Sequence, residues 1–263
     1  MGAVCTPVHA DTVAYYRFEN TGNGQPPATA TLATVMDASG HEFNLIPYQN
    51  PPRVWEVAVD PVPATQEHNR RSIRFAGIQN AYAPATCLLN KVAFESFTVE
   101  AWVNFDRLDG WQTIIGRDDS AGDGEAPGEH GLFSLSKSDT VNAVGGQDVN
   151  ALCVVLVTHD GRILSLLSTL QVVANTWYHV AVVGDKEAGT LSLYVEGSKI
   201  GSIPGFNGLF VPARDAHWTL GRGQYQGHPK DYLQGYLDEV RFSDTALPPR
   251  LFLNRAPSPI PQP

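Results

Sequence analysis

Between residues 72 and 242 the sequence runs as short apolar stretches separated by glycine-rich turns, and no segment of ten or more residues keeps a helical period. The stretch "FTVEAWVNF" (Phe97–Phe105) states the pattern most plainly. Phe97, Val99, Ala101, Val103 and Phe105 share one face and Thr98, Glu100, Trp102 and Asn104 the other, the period-two alternation of a half-buried strand. "ALCVVLVTH" and "RILSLLS" flank Asp160-Gly161, the strongest short hairpin signal. "VAYYRFE" (residues 13–19), "SIRFAG", "WQTIIGR", "GLFSLSK", "TWYHVAVVGD", "TLSLYVEG", "HWTLGRG" and "GYLDEVRF" complete the series. About a dozen short strands with such turns predict an all-β sandwich. "LPPRLFLNR" (residues 247–255) predicts one short helix with proline in its first turn.

The chain has 263 residues, 43% of them hydrophobic, enough for one large β domain. That domain is expected over residues 11–255. Residues 1–10 read as a loose tail, and the proline-rich "APSPIPQP" (256–263) as a linker or tail. Residues 20–72 are irregular and loop-rich, which in a compact domain often marks function. A net charge of −9 argues against nucleic acid, because phosphate binding wants a basic face. It suits neutral ligands and divalent cations. No apolar run reaches the ~18 residues of a membrane helix, so membrane insertion is not expected. The three cysteines form no CxxC pair. Cys153 reads as a small buried apolar residue; Cys5 and Cys87 are open to pairing in an oxidising compartment, which sequence alone does not establish.

The order "VAYYRFE…DASG", "FTVEAWVNFD…WQTIIGRDD", "NTWYHVAVV…GTLSLYVEG", "WTLGRGQY" and "GYLDEVRFSDTAL" resembles the laminin-G-like, concanavalin A-like jelly-roll domains of bacterial extracellular proteins. "WYHVA…LYVEG" and "LDEVRFSDTAL" are its most specific parts. The resemblance implies a two-sheet antiparallel jelly-roll sandwich with one concave sheet. It implies binding of a polysaccharide or glycan, or of a cell-surface protein, often with a structural calcium, in a secreted or cell-surface setting. In such domains an acid after the first strand, the D-x-S-G turn and the aspartate of "DEVR" come near one another. Carried onto this chain they are Glu19, Asp37 and Asp238, the expected calcium ligands. The alternative is that Asp238 caps a bulge and Glu239 pairs with Arg241 or another base.

Strand alternation sends Asp238 and Glu239 to opposite faces, where they cannot share a substrate. A retaining glycosidase needs two carboxyls roughly 5–5.5 Å apart. The E-x-D-x-x-E spacing of concanavalin-like endoglucanases is missing, and Glu100 with Asp106 leaves a long gap. No catalytic residue is singled out. The acid-rich loop 117–130 places Asp119, Asp123 and Glu125 near one another, as a second cation site or as a solvated loop. Sugars stack on aromatic faces while polar groups read their hydroxyls. "LDGWQTIIGRDD" offers Trp111, Arg117 and Asp118, and "GRGQYQGHPKDY" offers Arg222, Gln224, Tyr225, His228 and Tyr232 as candidate ligand-binding residues. The reading is an extracellular, lectin-like binding module directed at carbohydrate and carrying structural calcium. The alternatives are a glycoside hydrolase or polysaccharide lyase acting on the concave face, and a protein-interaction or adhesion module.

Overall fold

The structure, a computed structural model, describes residues 12–19, 34–48, 53–56, 69–119, 131–141, 148–212 and 216–254. Cys5, Asp123, Glu125 and both expected tails lie outside them.

Two antiparallel sheets form the sandwich. The first runs β15 (Ser198–Pro204), β14 (Thr190–Val195), β13 (Trp177–Asp185), β6 (Phe97–Phe105), β19 (Gln234–Ser243), β4 (Arg71–Ala76) and β3 (Arg53–Glu56), with β1 (Thr12–Tyr16) also paired to β19. The second runs β12 (Ile163–Gln171), β11 (Ala151–Val157), β8 (Phe133–Lys137), β7 (Gln112–Arg117), β16 (Trp218–Leu220), β5 (Asn80–Tyr82) and β2 (Ile46–Tyr48). Two hairpins stand beside them: β9 (Thr140–Val141) with β10 (Asp148–Val149), and β17 (Gly223–Tyr225) with β18 (His228–Lys230).

Alternation builds the core. Phe97, Val99, Val103 and Phe105 of β6, with Leu237 and Phe242 of its neighbour β19, share one core with Phe133, Leu135 and Trp218 of the facing sheet. Trp218 lies edge-on to Phe242 and Phe94, with centroids 5.0 and 5.9 Å apart.

The half-buried expectation for β6 is overturned, since all nine of its residues are buried. The chain after β19 returns across the outer face of the first sheet and packs Leu247 and Phe252 against Ala181, Val183 and Tyr194. Under this strap Glu100 accepts Arg241 Nε–H at 2.8 Å, His179 Nε2 lies 2.8 Å from Glu100, and Leu253 N–H donates to it at 2.8 Å. The helix expected over 247–255 shrinks to one 3₁₀ turn, Pro249–Leu251, because the strap is held by side-chain burial rather than by helical hydrogen bonds.

The strand β19 changes partner midway. Gln234 to Leu237 pair with β4, and Val240 to Ser243 pair with β1. Its pairing with β6 shifts register between Asp238 and Arg241, and Glu239 adopts φ +49°. A β-bulge therefore sits in the notch where β1 ends and β4 begins.

Candidate ligand-binding site

The outer face of the second sheet carries a cleft of about 450 Å³. Its floor is made by the residues that alternate with the core. Ser134 and Ser136 of β8 face out while Phe133 and Leu135 face in; Thr113, Cys153, Val155 and Ser165 continue the floor across β7, β11 and β12. Thr113 and Ser136 hydroxyls lie 3.1 Å apart. Trp111, Gln224, Tyr225, Lys230 and Asp231 form the walls. Trp111 is 38% exposed, and the Lys230 ammonium sits 5.1 Å from the centre of the Tyr225 ring.

One wall is the β17–β18 hairpin, laid directly on β7. A methyl group on Gly116 would stand 2.6 Å from Arg222 O, and one on Gly223 would stand 2.5 Å from Thr113 Oγ1. Glycine at both positions lets the two backbones touch. Arg222 anchors the hairpin by donating from Nη1 and Nη2 to the two oxygens of Asp118 at 2.6 and 2.7 Å. Gln224 Oε1 accepts Asp119 N–H at 2.6 Å, and its Nε2 donates to Asp119 O at 3.1 Å. Thr113 N–H donates to Asp231 O at 2.7 Å.

The eight candidate ligand residues thus take different posts. Trp111, Gln224 and Tyr225 line the cleft. Asp118 and Arg222 form the buried pair that seats the hairpin. Arg117 turns inward beneath it: its guanidinium lies 5.1 Å from the Trp218 ring centre and donates to Asn90 O at 2.8 Å, and burial lowers its pKa to about 10. His228, exposed, and Tyr232, half-buried, belong to the hairpin region without lining the cleft. The loop reading missed the floor. Its signal was the polar phase of "GLFSLSK", where serine alternates with Phe133 and Leu135. Cys153 is buried as expected, and it also lines the cleft; burial raises its thiol pKa to about 11.

The notch in the first sheet holds the carboxylates. Alternation placed Asp238 and Glu239 on opposite faces, and the bulge overturns that. Leu237 and Val240 both enter the core, so the two acids between them both turn outward. Asp238 Oδ2 accepts Asn69 Nδ2–H at 2.8 Å. Glu239 accepts the Tyr15 hydroxyl and Arg17 Nε–H, the latter at 3.4 Å. Burial pushes Asp238 well above the usual carboxylate range, and nearby Glu19 adds to the rise. Burial likewise raises Glu239 to about 8, against the pull of Arg241. Arg241 instead pairs with Glu100. Among the described residues, buried Asn69 Oδ1 has no hydrogen-bond partner.

Glu19 accepts Arg70 and Arg71 N–H groups at 2.8 and 2.9 Å, at the mouth of the notch. Asp37 is engaged elsewhere, its oxygens taking Tyr15 N–H (2.9 Å), Ser39 N–H (2.8 Å), Ser39 Oγ–H (2.7 Å) and Phe43 N–H (3.0 Å). Among the described residues no three His, Cys, Asp or Glu side chains gather into a metal-binding group. Asp119 is fixed through its backbone to Gln224.

Solved structures of similar fold include domain 4 of AbnA, a GH43 extracellular arabinanase from Geobacillus stearothermophilus in complex with arabinotriose; it is 19% identical, covers 91% of this chain and 95% of its own, and has TM-score 0.55. The CBM40 of a Ruminococcus gnavus IT-sialidase, bound to α2,3-sialyllactose, is 16% identical over 68% of this chain and 92% of its own, with TM-score 0.54. A Bacteroides ovatus protein described as carbohydrate-binding is 26% identical over 60% of this chain; this chain spans 40% of its length, with TM-score 0.45. No curated protein matches. A family model described as the concanavalin A-like lectin/glucanases superfamily matches residues 77–250, which takes in most strands of both sheets and the whole described lining of the cleft. By that match and by its two-sheet sandwich, the chain belongs to the concanavalin A-like lectin/glucanases superfamily.

Proposed function

We propose that this chain is an extracellular carbohydrate-binding module that holds its glycan in the cleft of the second sheet. The observation that carries this reading is the cleft itself: a floor of Thr113, Ser134, Ser136 and Ser165 hydroxyls beneath the rings of Trp111 and Tyr225. Hydroxyls that both donate and accept suit sugar hydroxyls, and aromatic faces suit the apolar face of a pyranose or furanose ring. Two proteins of similar fold carry oligosaccharides in their structures, which supports the same ligand class here. Among the described lining residues Asp231 is the lone carboxylate, whereas retaining hydrolysis uses a pair. Binding without cleavage is therefore the favoured reading.

The test is a polysaccharide panel read two ways, by calorimetry for binding and by mass spectrometry for released oligosaccharides. Retention that Trp111→Ala weakens supports the module. Released products would make the protein an enzyme, and silence in both readouts would move the function to a protein partner.

A structural calcium completes the proposal. Two adjacent buried carboxylates and Asn69 Oδ1, which has no partner among the described residues, fit a cation in the notch, with Glu19, Asn69 and Asp238 as side-chain donors and backbone carbonyls and water filling the shell. Asp37, whose oxygens accept four hydrogen bonds from its own turn and from Tyr15 of β1, is left out of this set. Calcium is expected to raise the melting temperature and chelator to lower it, and Asp238→Asn to abolish the difference. An unchanged melting curve in wild type would remove calcium from the account.

A further inference from the structure

Unpaired strand edges are normally shielded by charge, proline, bulges, shortness or a covering segment. Most edges of this sandwich follow the rule. β2 and β3 have three and four residues. Along β1, Ala38 N–H donates to Tyr15 O at 2.7 Å and Asp37 accepts Tyr15 N–H at 2.9 Å, so a turn occupies the edge. β15 carries Lys199 and Pro204 and a register shift against β14.

Among the described residues the exception is β12, which pairs with β11 and takes no second strand. Its nine residues, ILSLLSTLQ, contain no charge and no proline. A bulge distorts its far half, where Ala151 pairs with Gln171 but Cys153 with Leu167. Residues 163–167 stay regular, pairing in step with Val157 through Cys153. Ile163 and Leu167 are each 48% exposed.

That regular stretch is its own complement. Read antiparallel about Ser165, Ile163 opposes Leu167, Leu164 opposes Leu166 and Ser165 opposes itself. A two-fold interface needs such a self-matching patch. Charge points the same way. Copies that each carry −9 repel one another, and this strip is uncharged, with the nearby Arg162 neutralised by Asp160 at 2.7 Å.

We propose that residues 163–167 of β12 pair with the same stretch of a second copy, antiparallel about Ser165, so that two seven-stranded sheets join into one. Residues paired across antiparallel strands point to the same side. Ser165 is part of the cleft floor, so both clefts open on one face and their floors meet at the seam. The pairing itself stands on β12 alone; the alignment of two sugar sites rests on the proposed function.

Sedimentation velocity on the whole chain, without ligand, tests the pairing. A dimer is expected to grow in between ~1 and ~100 μM, the range of a modest strand-edge contact. The double variant Ile163→Lys/Leu167→Lys is expected to stay monomeric there with an unchanged melting curve. Leu88→Lys, which alters a 64% exposed apolar residue elsewhere, is expected to dimerise like wild type. Amide exchange at Leu164 to Leu166 gives a second readout that needs no variant, and is expected to slow as wild-type concentration rises. A wild-type monomer throughout, a dimer that survives the double variant, or exchange independent of concentration would overturn the proposal. Because no sugar enters these measurements, their failure leaves the cleft reading untouched.

Discussion

Arg222 and Asp118 meet end to end through two short hydrogen bonds in a space with little room for water. A buried pair adds little net stability, yet losing one member strands the other without solvent. Arg222→Ala is therefore expected to cost about 3–5 kcal/mol in urea unfolding. It should also weaken sugar binding, by releasing the hairpin rather than by removing a ligand contact. Trp111→Ala behaves oppositely: with the ring partly in solvent, stability should hold while affinity falls about tenfold, the worth of one stacked ring. Glu239 sets a pH dependence. Its folded pKa near 8 lies above the ordinary glutamate value of 4.5, so the folded state holds the extra proton between those values. Its contribution is full below pH 4.5 and is lost as pH rises toward 8. Glu239→Gln should flatten that decline in metal-free buffer, measured as the melting temperature across the window.

At the scale of elements, the hairpin on β7 makes the site. Gly116→Ala pushes a methyl group against the Arg222 carbonyl, and overpacking of this kind costs roughly 1–3 kcal/mol. The expected result is a lower melting temperature together with weaker sugar binding, since lifting the hairpin moves Tyr225 and Lys230 with it. Elements are also where the sequence was most readable. β6 spans the same residues as the stretch whose alternation announced it, and the turn at Asp160-Gly161 joins β11 to β12 as its residue types require. The bulge in β19 was legible only as the alternative for Asp238, which the structure bears out: Asp238 Oδ1 accepts Glu239 N–H at 2.8 Å, and Arg17 is the other base beside Glu239. Alternation itself offers no sign of the point where a strand changes partner. The cleft was half readable. Aromatic and amide residues in "GRGQY" marked the wall, but Arg117 and Arg222 look alike in sequence, and only packing sends one under the sheet and the other to Asp118. Floor residues come from four strands, and their convergence is a product of register.

At the scale of the whole molecule, the described sandwich is closed by its first strand and by the strap. β1 lies along the last strand, and the strap after β19 covers Glu100, His179 and Arg241. Deleting residues 247–254 would open that buried charge cluster to water and remove Phe252 from its place 5.2 Å from the Tyr194 ring. A loss of several kcal/mol is expected, read as an earlier urea midpoint. The overall sandwich was legible because period-two patterning dictates two packed faces. The strap was not, because its helix-like residues carry no mark of the sheet they cover. Thr12 pairs with Ser243, so β1 begins beside the point where β19 ends. A pull that separates those ends would act across the β1–β19 ladder and break its hydrogen bonds one pair at a time instead of shearing them together. Before that ladder could open, tension would have to strip Phe252 from His179 and Tyr194. The strap would then act as a mechanical latch, and a pull on the two ends of the sandwich would leave both sheets folded for as long as that latch holds.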